Sequence, residues 1–439
     1  MRDLVTLGMM LVLVSLAVRN TFSTYLLWGW TGLIALSGYL YGFMRGVKYA
    51  QWFAIATLIA FLMKSDKLQA AFKSNRTSTL MILFGIQCVV TMAFAYDGLP
   101  RNVELGTDVL KTVLFCILMP MLVTTRLRLH AFMVMVALGL GFHGIIDGLK
   151  FINSAGGHIS RGLAKFGDNN NTAVALATAV PILLYVAKYS VKKWVRLGFM
   201  GTMLLAVLAV VSTRSRGGFA TLVVLAGWMI WHTKRKFAGL ALLAVCVALV
   251  GALASNEWTE RMNTIQTADQ DGSFMLRVAA WKKSSAIALA HPLTGGGFYA
   301  VQAHGISAKY RYAQGLLGFI ETPDPHSFAA HSIYFQVMGD TGFVGFFIYI
   351  GFFLNAFLTR REIKKIAKAR GDSATWALDL SNTIAASLIA FMVGGSLVSA
   401  AYFDIAFILI ALMETIKQVL ISSPAGVEVV APTKPVVAR

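Results

Sequence analysis

Residues 331–358 read HSIYFQVMGDTGFVGFFIYIGFFLNAFL. From position 332 onward the stretch is apolar enough, and long enough, to cross a hydrocarbon core roughly 30 Å thick, for which about 20 residues of helix suffice. The run before it, Asp324-Pro325-His326-Ser327-Phe328-Ala329-Ala330, is a loop. An imidazole, His331, therefore stands where a long polar loop enters a membrane helix. Such a group exchanges protons near neutral pH, and its place at the mouth of a membrane bundle points to chemistry at the membrane surface.

Apolar runs of the same kind recur along most of the chain. Of 439 residues, 57% are hydrophobic and 13% charged, with a mean hydropathy of +0.67, where a soluble domain carries about 25% charged residues. The fold class is an all-α polytopic membrane protein. A β-barrel needs short alternating segments, and none stand out. Predicted spans are 4–18, 24–43, 79–96, 109–124, 130–149, 172–188, 195–212, 217–232, 237–254, 332–358, 381–398 and 402–420. The stretch 50–63 is short for a crossing, which favours about 12 spans with both termini inside over 13. Met1-Arg2-Asp3 and the apolar run to Val18 resemble a signal peptide, but no small-residue cleavage site precedes the next span, so a retained helix is expected. Cys88, Cys116 and Cys246 fall inside apolar runs without metal or disulfide spacing and read as small buried hydrophobes.

The net charge is +19. Nucleic acid is not its implied partner, because the basic residues sit between spans, where they set topology and meet anionic lipid. Lys64, Lys67, Lys73 and Arg76 form one loop and Arg126 and Arg128 the next. Lys188, Lys192, Lys193 and Arg196 follow, then Lys234, Arg235 and Lys236, then Arg360, Arg361, Lys364, Lys365, Lys368 and Arg370. These fall in every second loop, which the positive-inside rule puts in the cytoplasm. The other loops, 97–108, 150–171, 213–216 and 255–331, then face outward. The last is the long one, and its charges balance. The expected organisation is a bundle over 1–254, a periplasmic loop over 255–331 with short helices, C-terminal spans over 332–420, and a disordered tail over 421–439.

Several outward residues are candidates for chemistry. Ser212-Thr213-Arg214-Ser215-Arg216-Gly217-Gly218 is a very short turn between apolar helices. Arginines at headgroup level are costly unless paired with an anion, and a guanidinium fork suits phosphate. An anion site is favoured there over simple snorkelling to the headgroups. Around Arg277, residues 274, 278 and 281 share a helical face, which suggests an amphipathic helix lying on the membrane, with Trp281 in the headgroup belt. Arg161 and Lys282 are further outward cations. Gly295-Gly296-Gly297 reads as a plain turn rather than a phosphate cradle. Asp269-Gln270-Asp271-Gly272 is better read as a turn than as a metal-binding acidic pair. The four loop histidines, His291, His304, His326 and His331, form no HExxH pattern, and zinc is not expected. His130, His143 and His232 read as structural, and His158 has no clear place. His331 has a bland reading too, as a helix-start residue capped by Ser327 or Ser332. Gly342 and Gly345 likewise suit close helix packing.

His331-Ser332, nine residues, Gly342, two residues, Gly345, after a long outward loop, resembles the motif of the O-antigen ligase (WaaL-type) family, in a superfamily with O-antigen polymerases and O-linked oligosaccharyltransferases. Ser215-Arg216-Gly217 and Arg277 with Trp281 resemble that family's two arginine motifs, in the same order. The start Met1-Arg2-Asp3 resembles a ligase subgroup linked to exosortase systems. The resemblance implies a GT-C-like, metal-independent, inverting glycosyltransferase that needs no cofactor. It would move a glycan from an undecaprenyl-pyrophosphate carrier to lipid A–core at the periplasmic face of the inner membrane. His331 would be the general base, Arg216 and Arg277 would act on the pyrophosphate, and Arg214, Lys282 and Arg161 would contact substrate. A polymerase or a protein oligosaccharyltransferase is the nearer alternative. The distant one is a transporter of an anionic solute, which should need coupling groups at mid-membrane. Asp147 and Asp404 lie near span ends instead.

Overall fold

Short polar residues just before apolar runs start several helices. Asn20, Asn75, Thr125 and Asp168 each accept a hydrogen bond from a backbone N–H two or three residues on, satisfying donors that a first helical turn leaves unpaired. The computed structural model describes residues 2–17, 20–63, 75–99, 101–162, 166–232, 272–323 and 329–423, with isolated positions between 236 and 248. Its helices are α1 (Arg2–Ala17), α2 (Thr21–Ile34), α3 (Tyr49–Leu62), α4 (Arg76–Ala93), α5 (Asn102–Leu122), α6 (Arg126–Asn153) and α7 (Asn169–Tyr189). After these come α8 (Lys193–Ser212), α9 (Arg216–His232), α10 (Gly272–Ala290), α11 (His304–Lys309), α12 (Ile333–Arg370), α13 (Thr375–Gly395) and α14 (Asp404–Ser422).

Seven stretches among the described residues are long and apolar enough to cross a membrane, by length and composition. One of them, Ile333–Gly395, runs through the turn at 371–374 and so holds both α12 and α13. The chain is thus a multi-pass helical membrane protein. The expected span 24–43 is not continuous. Helix α2 stops at Ile34 because Ala35 takes a left-handed conformation (φ 47°) and returns its N–H to Thr31, and short 3-10 turns follow. The expected span 237–254, Cys246 and the tail from 424 lie outside the described residues.

Helices α7 and α14 are the most buried and form the centre of the bundle. Around them pack α6, α8 and α13 on one side, and α4, α5 and α12 on the other. Close approach is built in: a Cβ on Gly148 of α6 would lie 2.4 Å from the Leu205 carbonyl of α8, the small-residue contact that lets membrane helices touch backbone to backbone. Because consecutive helices run antiparallel, one end of the bundle collects Arg126, Arg128, Lys188, Lys192, Lys193 and the α12 residues Arg360 to Arg370. The other end collects the end of α8, the starts of α7, α9 and α12, and the α13–α14 turn. Candidate chemistry gathers at this second end.

Candidate functional site

Helix α10 carries Arg277, and it does not lie free on a surface. The indole N–H of Trp281 donates to the carbonyl of Ala330 at 2.8 Å. The Trp281 ring stacks on Phe335 with centroids 5.3 Å apart and meets the edge of Phe274 at 5.9 Å. Residues 282–288 are buried together with Val278, Ala279 and Ala280. The expected amphipathic surface helix is therefore a packed one. Its polar side, with Lys282, Lys283, Ser284 and Ser285, is covered by protein, and Trp281 is a bolt to α12 rather than a headgroup anchor. The Lys283 ammonium donates to Ser307, and burial, with Arg311 nearby, lowers its pKa. Lys282 donates to Gln314 at 3.2 Å and lines a cleft of about 490 Å³ with Arg311, Tyr312 and Glu321. Five residues from Arg277, it lies about 140° round the helix. Lys282 and Arg277 therefore serve different faces.

The glycines at 295–297 are neither a plain turn nor a phosphate cradle. Helix α12 breaks at Gly342, where φ is 71° and ψ −171°. The Gly-rich loop fills the break. Gly296 and Gly297 donate to the carbonyls of Gly339 and Asp340 at 2.9 and 3.0 Å, and Phe343 donates to Pro292 at 2.8 Å. From α4, the Gln87 amide reaches the carbonyls of Leu293 and Thr341 at 2.7 and 2.9 Å. Backbone groups released by the break are thereby paired, as burial requires. Asp340, buried beside the break, accepts from the Tyr402 hydroxyl at 3.0 Å. Gly342 is thus a break position, where the sequence suggested simple packing. A side chain at Gly295 (φ 69°) would sit 2.3 Å from the Asp340 carbonyl. Gly295→Ala is expected to destabilise the protein on the order of 3 kcal/mol, from left-handed strain plus overlap. A thermal unfolding shift in detergent checks this.

The Gly342 break leaves Ile333–Thr341 as a short helical segment with His331 just before it. His331 has φ 45°, a left-handed conformation uncommon outside glycine. Its N–H donates to the Ser399 hydroxyl at 2.8 Å. The Ser332 side chain makes no cap hydrogen bond, so the capping reading does not hold for that residue, and Ser327 lies outside the described residues. His331 is half-buried. Burial holds its pKa below the ordinary histidine value, Arg277 lowers it further, and Asp168 acts in the opposite sense. The fold thus brings Arg277, 54 positions away in sequence, within electrostatic reach of His331.

The turn after α13, residues 396–403, joins the remaining pieces. Gly217, next to Arg216 at the head of α9, lies against Leu397. Phe403 meets the ring of Phe166 at 5.1 Å, two residues before Asp168. Ala401 donates to Gln336 in the short segment at 3.1 Å. The turn that holds Arg214 (φ 52°) is itself tied to the start of α7: Asn169 donates to the Thr213 carbonyl at 2.9 Å, and the Ser215 hydroxyl to Asn170 at 2.7 Å. Arg161 is exposed. The loop beneath it is fixed where Ser160 donates its N–H to Ser212 and its hydroxyl to buried Asp147. His158, 3.5 Å from Asp147, belongs to the same knot.

The other histidines are structural where described. His143 is buried between the Tyr39 hydroxyl (2.6 Å) and the Leu33 carbonyl (3.0 Å). His130 stacks on Tyr185, His232 bonds its own helix at Trp228, and His291 bonds the Tyr96 hydroxyl at 2.7 Å. His304 heads α11. Cys88 and Cys116 are buried. Asp269, Asp271 and His326 lie outside the described residues. Among those described, no three His, Cys, Asp or Glu side chains come together as metal ligands would. Two residues that the sequence did not single out, Asp168 and Ser399, are part of this site. Both are lone polar residues in turns, and no spacing marks them.

The fold sets Arg277 within electrostatic reach of His331, with Arg216 and Arg214 at the same end of the bundle. Residues 201–350 match a family model described as O-antigen ligase. This stretch is similar to the O-antigen ligase family. The matched stretch contains Arg214, Arg216, Arg277, Lys282, His331, Gly342 and Gly345. The similarity agrees with the resemblance to O-antigen ligases and polymerases read from the sequence. Residues 1–191 match a second model, described as a family of unknown function. No curated protein matches the chain.

Proposed function

We propose that this protein, similar over residues 201–350 to O-antigen ligases, transfers a glycan from undecaprenyl pyrophosphate to lipid A–core at the periplasmic face of the inner membrane. The observation that carries the reading is the pinning of α10 by Trp281 to Ala330, next to His331, with Arg277 of the same helix within electrostatic reach of the imidazole. The acceptor hydroxyl oxygen attacks the anomeric carbon from the face opposite the carrier. The bond from that carbon to the pyrophosphate oxygen breaks, the configuration inverts, and undecaprenyl pyrophosphate leaves. The hydroxyl proton passes to His331, whose lowered pKa keeps its ring neutral and ready to accept it. Arg277 and Arg216 stabilise the charge growing on the leaving oxygen. Arg214 and Arg161 are further contacts to the donor, and Lys282, on the opposite face of α10, meets the glycan beyond the pyrophosphate. The basic residues at the other end of the bundle make that end cytoplasmic by the charge rule.

The test is transfer in vitro, with a lipid-linked glycan offered in parallel to lipid A–core, a second lipid-linked glycan and a protein acceptor. Product on lipid A–core supports ligation. Product on the second donor or on protein makes the chain a polymerase or an oligosaccharyltransferase instead. Saturating EDTA is expected to leave the rate unchanged. Loss restored by a divalent ion would instead give Asp269 and Asp271 a metal-binding role. The transporter reading fares worse, because the candidate coupling groups Asp147 and Asp404 are already engaged, by Ser160 and Thr112.

A further inference from the structure

We propose that Ser399 is a positioning residue for the base: its hydroxyl holds His331 in the left-handed conformation that aims the ring at the bound donor. The inference rests on the reading of His331 as base. Three observations carry it. His331 has φ 45°, a conformation that costs a non-glycine residue free energy and persists only where its surroundings impose it. The hydrogen bond that imposes it is visible, from the His331 N–H to Ser399 Oγ at 2.8 Å. His331 lies before the first turn of α12, so its N–H has no helical carbonyl to pair with.

Beside these stands the way the turn that carries Ser399 is held. Ala401 donates to Gln336 at 3.1 Å, and the Tyr349 hydroxyl donates to the Ala401 carbonyl at 3.0 Å. On the other flank Leu397 packs at Gly217, next to Arg216, and Phe403 packs on Phe166 near Asp168. Ser399 therefore fixes His331 to a turn that touches the Arg216 helix, the Asp168 loop and α12 together. Without its hydroxyl, the His331 backbone relaxes toward an ordinary φ and the ring swings away from Arg277. A misplacement of about 1 Å at a reacting group costs on the order of 100-fold in rate.

The experiment compares Ser399→Ala and Ser399→Thr with wild type and His331→Ala in full-length purified protein, reading kcat, KM and the pH profile. Ser399→Ala is expected to lower kcat about 100-fold with KM little changed. The acid limb of its profile should move up in pH, since a ring that leaves burial and Arg277 regains the ordinary histidine pKa. Ser399→Thr, which keeps the hydroxyl, should restore both. A kcat like wild type in Ser399→Ala overturns the proposal. So does a reduced kcat with an unmoved limb, which is the mark of a merely structural loss, and so does a Thr variant as weak as Ala. If His331→Ala itself transfers glycan, the reading of the base fails. If His331→Ala is inactive while Ser399→Ala behaves as wild type, only the role of Ser399 fails.

Discussion

His331→Ala is expected to leave a folded, membrane-inserted protein whose glycan transfer falls by about 10²- to 10⁴-fold, the usual contribution of a general base. The fold should survive because the ring is only half-buried, while the contacts that position the residue belong to its backbone and to its neighbours Ala330 and Phe335. Purified variant and wild type, matched for thermal unfolding, give the comparison. Transfer by the alanine variant within tenfold of wild type would remove His331 from the chemistry.

Arg277→Gln should produce two effects at once. Loss of a cation facing the leaving pyrophosphate lowers kcat by about 10²- to 10³-fold, the range seen when one preorganised charge-stabilising group is deleted. It also removes a positive neighbour of His331. Burial first, and that neighbour second, disfavour the protonated ring, so His331 in wild type has its pKa below the ordinary value, which is about 6.5. Wild-type transfer should then persist as pH falls to 6.5 and decline below it, as the base becomes protonated. In Arg277→Gln the pKa rises, so the decline begins at higher pH. A profile of kcat/KM against pH for both proteins checks the sign. An acid limb that stays in place, or moves down, would mean that Arg277 and His331 do not share a site. Asp168→Asn should shift the limb the other way, because Asp168 favours the charged ring.

The helical bundle was legible because a 20-residue apolar run has few other uses. Most expected spans in the described residues became helices, though 332–358 breaks at Gly342 and its helix runs on to Arg370. The span 24–43 shows what hydropathy misses: one alanine in the left-handed region, Ala35, ends the helix while the sequence stays apolar. The pattern around Arg277 gave the right helix and the wrong neighbour. An amphipathic period marks a face that needs covering, but protein and lipid headgroups look alike in that signal, and here the covering is α12 and the segment around Ser307 and Gln314. Gly295 to Gly297 and Gly342 were each visible as glycines. Their relation was not, because a loop that completes a broken helix 45 positions later leaves no local mark. As candidates, His331 and Arg216 stand out by their place at loop–helix junctions, and Arg277 by the helical face at 274, 278 and 281 beside it. Ser399 and Asp168 were missed because one serine in a turn and one helix cap look the same wherever they occur.

The break at Gly342 also accounts for the gap in His331-Ser332, nine residues, Gly342. Clamped at its far end by the Gly-rich loop and tied at its near end through Ala330 and His331, the segment Ile333–Thr341 works as a dial. Each residue of helix advances the chain by about 1.5 Å and turns it by about 100°. The number of residues between the clamp and the imidazole therefore sets the compass bearing of the ring. Their identities matter less for that bearing than their count.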